Sequence, residues 1–304
     1  MLTVCNYHYI RPNFSQKYSS IFGVTPAQFK KQLLLLKNTG DFVSPTELEN
    51  NWLPILESKN NHHYITFDDG LQEQFSYAVP VLEELNILVI FFINSMNYTS
   101  NLVSLVLRVH FLRSQINSAE LLKKAVDFNG ANLTEMQTQA ATNFYKFDDL
   151  ESAKLKYLLN MVFTYDQLTD FTKLFDKVFI DNDCQAQNLY FTEAQLLRSN
   201  SKNQLGSHTH SHQPLGKLSQ PELEFEMQQT ISFFQQKFNK TPLQISYPNG
   251  IEYAINKSVF RTAANFGHQL GFTALGAHNT NSKNLLNLNR FYCNDLVGGK
   301  NYKS

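Results

Sequence analysis

The sequence has few cysteines, no excess of either charge and no long hydrophobic run. Its three cysteines, Cys5, Cys184 and Cys293, lie far apart and form no CxxC pair, so neither a disulfide framework nor a cysteine zinc site is expected. Lysine plus arginine number 26 and aspartate plus glutamate also number 26, which provides no net positive charge to attract nucleic acid. These features favour a reducing compartment and a small molecule or a neutral glycan as the partner.

The hydrophobic residues occur in short runs. The most apolar run, ILVIFFI at Ile87–Ile93, is too short to span a bilayer. The N-terminal stretch MLTVCNYHYIRP has no basic region followed by a long apolar one. We therefore expect no signal peptide, no transmembrane segment and a cytoplasmic location. With 304 residues, of which 42% are hydrophobic, the chain can bury a sizeable core.

Strand-like and helix-like segments alternate in the first and last thirds of the sequence. HYITFDD and ILVIFFIN are typical of strands, and YAVPVLEELN between them has helical periodicity. Similarly, an amphipathic helix opened by Ser219 and Pro221 is predicted between the strand-like segments NQLGSHT and LQISYP. Strands separated by helices indicate a largely parallel sheet and therefore an α/β fold.

The middle of the sequence breaks this rhythm. Residues 97–202 contain a single glycine, Gly130, and no proline, and they predict successive helices. One of these helices is capped by Ser118, and another opens with a capping box at Thr192. We interpret this region as a helical insertion that serves as a lid or a partner surface. The alternative is that its helices pack on the same core as the rest.

Two adjacent carboxylates end a strand-like run in YITFDDG, which covers Tyr64–Gly70. In a parallel α/β sheet, ligands bind beyond the carboxyl ends of the strands. Because strand side chains alternate faces, Asp68 and Asp69 cannot point the same way unless the chain bends, and Gly70 permits a bend. Taken alone, an Asp-Asp-Gly sequence is more typical of a solvated turn.

Three histidines alternate in SHTHSH, namely His208, His210 and His212. His208 and His212 are four residues apart and share a face in a helix or a tight turn. Two imidazoles and one carboxylate form a catalytic zinc site that keeps a position open for water. A neighbouring carboxylate that stays free of the metal could act as general base toward that water. His210 would point elsewhere.

A third segment, SYPNG at Ser246–Gly250, follows another strand-like run. A Pro-Asn-Gly turn at a strand end could offer backbone N–H groups to a developing oxyanion. We therefore take Tyr247, Pro248, Asn249 and Gly250 as candidates for substrate binding or oxyanion stabilisation. The alternative for the segment is an ordinary turn, and core packing is the alternative for the tyrosine.

In this order, the three segments resemble the polysaccharide deacetylases, also called NodB-homology proteins or family 4 carbohydrate esterases. TFDDG matches the first motif of that family, HTHSH fits its second and SYPNG is a variant of its third. The resemblance implies a distorted (β/α) barrel of the NodB-homology type with a helical insertion. The predicted domains are 1–96 for the first part of the barrel, 97–202 for the helical insertion and 203–304 for the second part of the barrel.

The resemblance also implies an enzyme. By position, it assigns Asp69, His208 and His212 to one divalent metal ion, zinc or alternatively cobalt or nickel, and Asp68 to the general base. The implied reaction removes N-acetyl (or O-acetyl) groups from an aminosugar glycan or a lipid- or nucleotide-linked sugar. Two alternatives stay open: hydrolysis of a small or cyclic amide at the same metal site, or glycan binding without catalysis.

Two departures from the family pattern concern the surroundings of Asp68. Ser246 stands where the family often has an arginine that orients the catalytic aspartate, and Arg290 is the candidate substitute. Arg290 is also a candidate for substrate binding or oxyanion stabilisation. The sequence also lacks the family's Leu-x-His near its end, which protonates the leaving amine. His8, in NYHYI, is our first candidate for this acid because it ends a strand-like run and resembles the segment that opens the poly-N-acetylglucosamine deacetylases. His278 is the second candidate.

Overall fold

The computed structural model describes residues 1–18, 20–280 and 284–302. The chain divides into two compact units. The first unit comprises Met1–Asn13, Gly23–Leu102 and Ala186–Ser304, and the second comprises Phe14–Phe22 and Val103–Gln185. The predicted domain boundaries at 97 and 202 stay a prediction.

The first unit contains the strands. They are β1 (Leu2–Tyr7), β2 (Tyr9–Ile10), β3 (Gly23–Val24), β4 (Asp41–Phe42), β5 (His62–Phe67), β6 (Ile90–Ile93), β7 (Leu205–Ser207), β8 (Gln244–Ser246), β9 (Leu270–Phe272) and β10 (Phe291–Tyr292). The main sheet has the order β10-β1-β5-β6-β7-β8-β9, with β4 also paired to β5, and β2 pairs with β3 in a separate two-stranded sheet. All of these pairings are parallel, so the carboxyl ends of the main strands meet at one edge.

The segment that precedes β10 connects the last strands to the first. Leu288 N donates to Gly271 O, and Thr273 N donates back to Leu288 O, so this segment runs along β9. Three residues later, Phe291 pairs with Cys5 of β1. Arg290 is therefore held between the end of β9 and the end of β1.

Both faces of the sheet are buried, which explains why its strands read as continuous apolar runs. In β6, Phe91 and Ile93 belong to one hydrophobic cluster, whereas Ile90 and Phe92 belong to another. This division follows the alternation of strand side chains. The cluster around Phe92 also contains Val4 and Tyr64, and we call its side of the sheet the inner face.

Helices separate the strands of the first unit. They are α1 (Pro26–Lys37), α2 (Pro45–Glu57), α3 (Val79–Glu84), α4 (Met96–Thr99), α11 (Ala186–Leu189), α12 (Glu193–Ser201), α13 (Gln220–Phe238) and α14 (Lys257–Asn265). The capping box predicted at Thr192 is present at the start of α12, and the predicted opening residue Ser219 is the N-cap of α13. Here the local sequence determines the helix ends because the cap bonds are made between residues three apart.

The second unit is helical. It contains α5 (Leu105–Gln115), α6 (Ser118–Asn129), α7 (Glu135–Phe144), α8 (Leu150–Tyr157), α9 (Tyr165–Lys173) and α10 (Asp176–Asp181). Its core includes Leu112, Leu155 and Phe171. Asn117, not the predicted Ser118, is the N-cap of α6, since its side chain accepts from Glu120 N.

The predicted fold class is confirmed: the first unit is an α/β fold with a parallel sheet surrounded by helices, of the NodB-type (β/α) barrel kind. Every helix in the described residues is too short or too polar to span a bilayer.

Candidate metal centre

Alternating positions of β1 and β5 lead along the inner face to the candidate site. Apolar Val4 and Tyr64 belong to the inner cluster. Two residues further along each strand are Asn6 and Thr66, and beyond Thr66 comes Asp68. Alternation places these polar residues on the same face as Val4 and Tyr64. The inner face therefore changes from apolar to polar toward the carboxyl ends of the strands, where a ligand is expected in a parallel sheet.

The chain turns sharply after Asp68. Asp69 has φ = 75° and Gly70 has φ = 62°, both in the left-handed region. At Gly70 a Cβ atom would lie 2.7 Å from Ile93 Cγ2, so only glycine fits this turn. Because the turn interrupts strand alternation, Asp69 is not forced onto the face opposite Asp68. This is the bend that we expected in TFDDG, because only a bend allows Asp68 and Asp69 to point the same way.

The histidine loop after β7 has an unusual backbone as well. Thr209 has φ = 64° and His212 has φ = 62°. Aspartate and asparagine tolerate such angles, but a β-branched threonine rarely adopts them. Residues in this region cost on the order of 1–3 kcal/mol each and persist where their surroundings hold them, most often at functional sites. The loop conformation therefore has a structural cause beyond its own sequence.

The two unusual backbones bring Asp69, His208 and His212 together. Asp69 Oδ1 lies 3.7 Å from His208 Nε2 and 3.5 Å from His212 Nε2. One potential ligand atom from each of the three residues lies within 4.8 Å of the other two. His208 Nδ1 donates to Ser246 O at 2.8 Å, which leaves the lone pair of Nε2 directed toward Asp69. His210 points away, with its Nδ1 2.8 Å from Ser95 Oγ.

The electrostatics of this cluster fit a divalent cation. Asp69 Oδ1 is buried and has no hydrogen-bond partner in the described part of the chain. Burial, together with the charge of Asp68, raises the pKa of the Asp69 carboxyl to about 8. Burial also lowers the pKa of His208 and that of His212, which keeps both rings neutral. Two neutral imidazoles and an oxygen that lacks a donor are the donor set that zinc accepts.

Asp68 is held apart from this cluster by Arg290. Arg290 Nη1 donates to Asp68 Oδ1 and Nη2 donates to Asp68 Oδ2, each at 2.8 Å. Both residues are buried, and Arg290 is only 2% exposed. Burial would raise the pKa of Asp68, but the Arg290 guanidinium, with smaller contributions from His208 and His8, holds it well below its usual range. Asp68 is therefore ionised.

Arg290 thus corresponds to the positioning role considered from the sequence rather than to a substrate contact. Its Nη2 also donates to Ser246 Oγ at 2.8 Å, and its Nε donates to Thr273 O at 2.8 Å. The guanidinium is occupied by protein acceptors on all sides. Its assignment to substrate binding or to the oxyanion has to be corrected for this reason.

Asn6 is a site residue that the sequence analysis missed. Its Nδ2 donates to Asp68 Oδ2 at 3.0 Å. The signal was available, because Asn6 precedes His8 by two residues and strand alternation places both on one face. His8 Nε2 lies 3.6 Å from the same Asp68 oxygen, and its side chain is 29% exposed. Burial lowers the pKa of His8 to about 4.

The second candidate acid, His278, lies elsewhere. Its Nδ1 is 2.8 Å from Thr3 Oγ1 near the amino end of β1. Four residues separate Thr3 from Tyr7 at the carboxyl end of that strand, or about 13 Å at the usual rise per residue. His278 is therefore too far from Asp68 to share its chemistry, and its candidacy as the acid is wrong.

In the SYPNG turn, one backbone donor remains available. Tyr247 N donates to Phe272 O at 3.0 Å, Pro248 has no N–H, and Gly250 N donates to Pro248 O at 2.7 Å. Asn249 has φ = 61°, is exposed, and its N–H has no partner in the described part of the chain. Among the four predicted residues, Asn249 is thus the one that can offer an N–H to a ligand.

The Tyr247 side chain has to be corrected as a substrate contact. It is fully buried, its hydroxyl donates to Leu286 O at 2.9 Å, and its ring packs against Phe260. It therefore belongs to the core.

The polysaccharide deacetylase family model matches residues 146–271. The match includes HTHSH and SYPNG but not TFDDG, so the three-dimensional arrangement is what joins Asp69 to the matched region. The sequence has no significant match among curated proteins.

Several solved structures have a similar fold. IcaB from Ammonifex degensii aligns with a TM-score of 0.57 and 14% identity over 96% of this chain and 91% of that one. The deacetylase PplD from Streptococcus pyogenes, solved with acetate, gives a TM-score of 0.53 and 19% identity over 96% and 91%. The BpsB deacetylase domain from Bordetella bronchiseptica gives 0.54 and 12% over 96% and 95%.

The fold and the site define an α/β barrel protein with a two-histidine, one-carboxylate cluster at the strand ends. The family match over residues 146–271 confirms the resemblance to the polysaccharide deacetylases, and the similar solved structures confirm the fold.

Proposed function

We propose that this protein is a metal-dependent deacetylase that removes N-acetyl (or O-acetyl) groups from an aminosugar-containing glycan or a lipid- or nucleotide-linked precursor. The observation that carries the proposal is the convergence of Asp69, His208 and His212 beside an ionised Asp68 that Arg290 holds apart. The names of similar structures support the substrate class, since one is a de-N-acetylase from Aggregatibacter actinomycetemcomitans and another holds acetate.

Asp69, His208 and His212 would hold the cation, and their mixture of nitrogen and oxygen donors suits zinc first, then cobalt or nickel. When bound, such an ion acidifies a coordinated water and polarises the acetyl carbonyl. Asp69 and His208 are buried and His212 is half-buried, so bulk solvent has little access to the three donors.

Asp68 serves as the general base. Its two oxygens are fixed by Arg290 and Asn6, so the carboxylate cannot rotate toward the histidines. The low pKa keeps it available to accept a proton at neutral pH, although it makes Asp68 a weak base.

Attack by water on the acetyl carbon forms a C–O bond and places negative charge on the carbonyl oxygen. The Asn249 N–H is the backbone donor that can stabilise this charge. The tetrahedral intermediate then collapses and its C–N bond breaks. His8 donates the proton that the leaving nitrogen needs. Its Nε2 lies 3.6 Å from Asp68 Oδ2, so the proton taken from water can be passed to the amine. The products are acetate and a free amino group.

The test is acetate release from N-acetylglucosamine oligomers by the zinc-loaded protein. In Asp68→Asn, which retains the size and one acceptor of the side chain, we expect kcat to fall by about 10²–10⁴-fold. Zinc content should stay unchanged because Asp68 is outside the ligand set. The exposed Asp127 provides a matched control, and Asp127→Asn should be fully active.

Full activity of Asp68→Asn would contradict the proposed base. Hydrolysis of small cyclic amides in place of the oligomers would favour the alternative substrate class. Absence of both activities, with zinc bound, would favour a binding protein.

A further inference from the structure

The loop between the two histidines needs support from outside itself. Thr209 and His212 both have left-handed backbones, a conformation that is uncommon outside glycine and that a β-branched residue such as Thr209 disfavours most. Unless neighbouring groups hold these angles, the loop would relax and separate the Nε2 atoms of His208 and His212. Two sets of neighbouring groups, one on each side of the loop, contact it.

One side of the loop is supported by the residues that follow β6. Residues 94–96 donate to three consecutive loop carbonyls. The pairs are Asn94 Nδ2 with His208 O, Ser95 N with Thr209 O at 3.2 Å, and Met96 N with His210 O at 3.1 Å. These bonds satisfy the carbonyl side of the loop and leave its N–H groups to be accounted for.

The other side of the loop is supported by a single carboxylate, Glu226 of α13. Its Oε2 accepts from His210 N at 3.0 Å and from Ser211 N at 2.9 Å, and its Oε1 accepts from Ser211 Oγ. Glu226 is 2% exposed. One buried side chain therefore takes three donors from two consecutive loop residues.

Glu226 has no other evident reason to be buried. Within the described residues, no lysine or arginine lies within ion-pair distance of its carboxylate. A buried carboxylate is costly unless donors satisfy it, and here the loop supplies them. Helix α13 is itself held in place, because Leu223 and Met227 on either side of Glu226 are buried in a core cluster.

We infer that Glu226 is a positioning residue that fixes residues 208–212 in the metal-binding conformation before any ion arrives. The inference rests on the proposed metal site for its consequence, a higher metal affinity. Groups behind the ligands of a metal site typically change affinity by 10–100-fold when they are replaced.

The experiment compares the full-length wild type with Glu226→Met, which removes the acceptors at similar size, and with Glu226→Gln, which keeps one acceptor oxygen. Glu224→Met is the matched control, because Glu224 lies on the same helix and is exposed. Hydrogen exchange of the peptide spanning 205–215 is followed by mass spectrometry in the metal-free proteins. Zinc affinity is measured by competition with a chelator.

We expect the loop amides to be protected in the metal-free wild type, in Glu226→Gln and in the control. In Glu226→Met, protection should be lost and zinc affinity should fall about 10–100-fold. Should that variant not fold, Ser211→Ala removes one of the three donors and should weaken zinc binding to a smaller extent.

Rapid exchange of the loop in the metal-free wild type would overturn the inference, as would unchanged zinc affinity in a folded Glu226→Met. A third outcome would separate the two proposals: the wild type binds no zinc, but its loop amides are protected and this protection is lost in Glu226→Met. It would refute the metal site and the proposed function but retain Glu226 as the residue that fixes the loop.

Discussion

Replacing Arg290 by methionine should both destabilise the first unit and impair catalysis. The substitution keeps an unbranched side chain but removes all five donor groups. Asp68 would then remain a buried carboxylate with Asn6 as its neutral donor and with His8 at 3.6 Å. Burial, no longer opposed by the guanidinium, would raise the Asp68 pKa, so the acid limb of the activity profile should move to higher pH.

The size of the effect follows from the contacts. Two hydrogen bonds of 2.8 Å join the guanidinium to the carboxylate, and bonds to a charged group contribute about 1.5–3 kcal/mol each. Breaking a buried ion pair by removing one partner typically costs about 3–5 kcal/mol. The range from the two hydrogen bonds and the range for a broken buried ion pair agree, and we expect the free energy of unfolding to fall by about 4 kcal/mol.

Urea unfolding can be followed by the fluorescence of Trp52, the single tryptophan, which lies in α2 of the same unit as Arg290. Removing both charges in Arg290→Met with Asp68→Asn should restore most of the lost stability, because no unpaired buried charge remains. Arg198→Met is the control: its partner Glu83 is 47% exposed, and the expected change is below about 1 kcal/mol. A stable Arg290→Met, or a double variant no better than the single one, would refute the reasoning.

Two further predictions concern histidines. Burial lowers the pKa of His268 to about 4 from 6.5, so unfolding takes up a proton and stability falls as the pH drops from 6.5 toward 4. Between pH 7 and pH 5 the wild type should lose about 2 kcal/mol more than His268→Asn in urea titrations, and equal losses would contradict this. His8→Gln should lower kcat on N-acetylglucosamine oligomers by about 10²-fold or more without changing zinc affinity. His278→Gln should match the wild type in both assays, and equal effects of the two substitutions would argue against His8 as the acid.

Helix caps and buried strands could be predicted because their causes are local. The predicted Thr192 capping box involves residues three apart and is present, and the helix predicted to open at Ser219 has Ser219 as its N-cap. Strand β6 was predicted from a run of apolar residues, and the parallel sheet buries it on both faces. In each case a short window of sequence contains the interactions that determine the element.

The site could be predicted only in part because its geometry depends on distant residues. The convergence of the Asp69 side chain with the histidine loop requires left-handed angles at four positions, Asp69, Gly70, Thr209 and His212. No sequence pattern predicts such angles at the threonine or the histidine. Glu226 was missed for a similar reason. It lies on the buried face of α13 between Leu223 and Met227, a position that could have been noticed. Its partners, however, belong to Ser211 and His210, which lie 15 and 16 residues away.

Arg290 and Ser246 show why the chemistry of this site is better defined by position in space than by position in a motif. In the family that the sequence resembles, an arginine often stands where Ser246 is. Here the Ser246 hydroxyl accepts from Arg290 Nη2 at 2.8 Å, so the two side chains meet at the same point beside Asp68. The small serine leaves space at the end of β8. The segment between β9 and β1 places the Arg290 guanidinium in this space. What Asp68 requires is a buried planar cation with two donors, and a different strand end can supply it equally well.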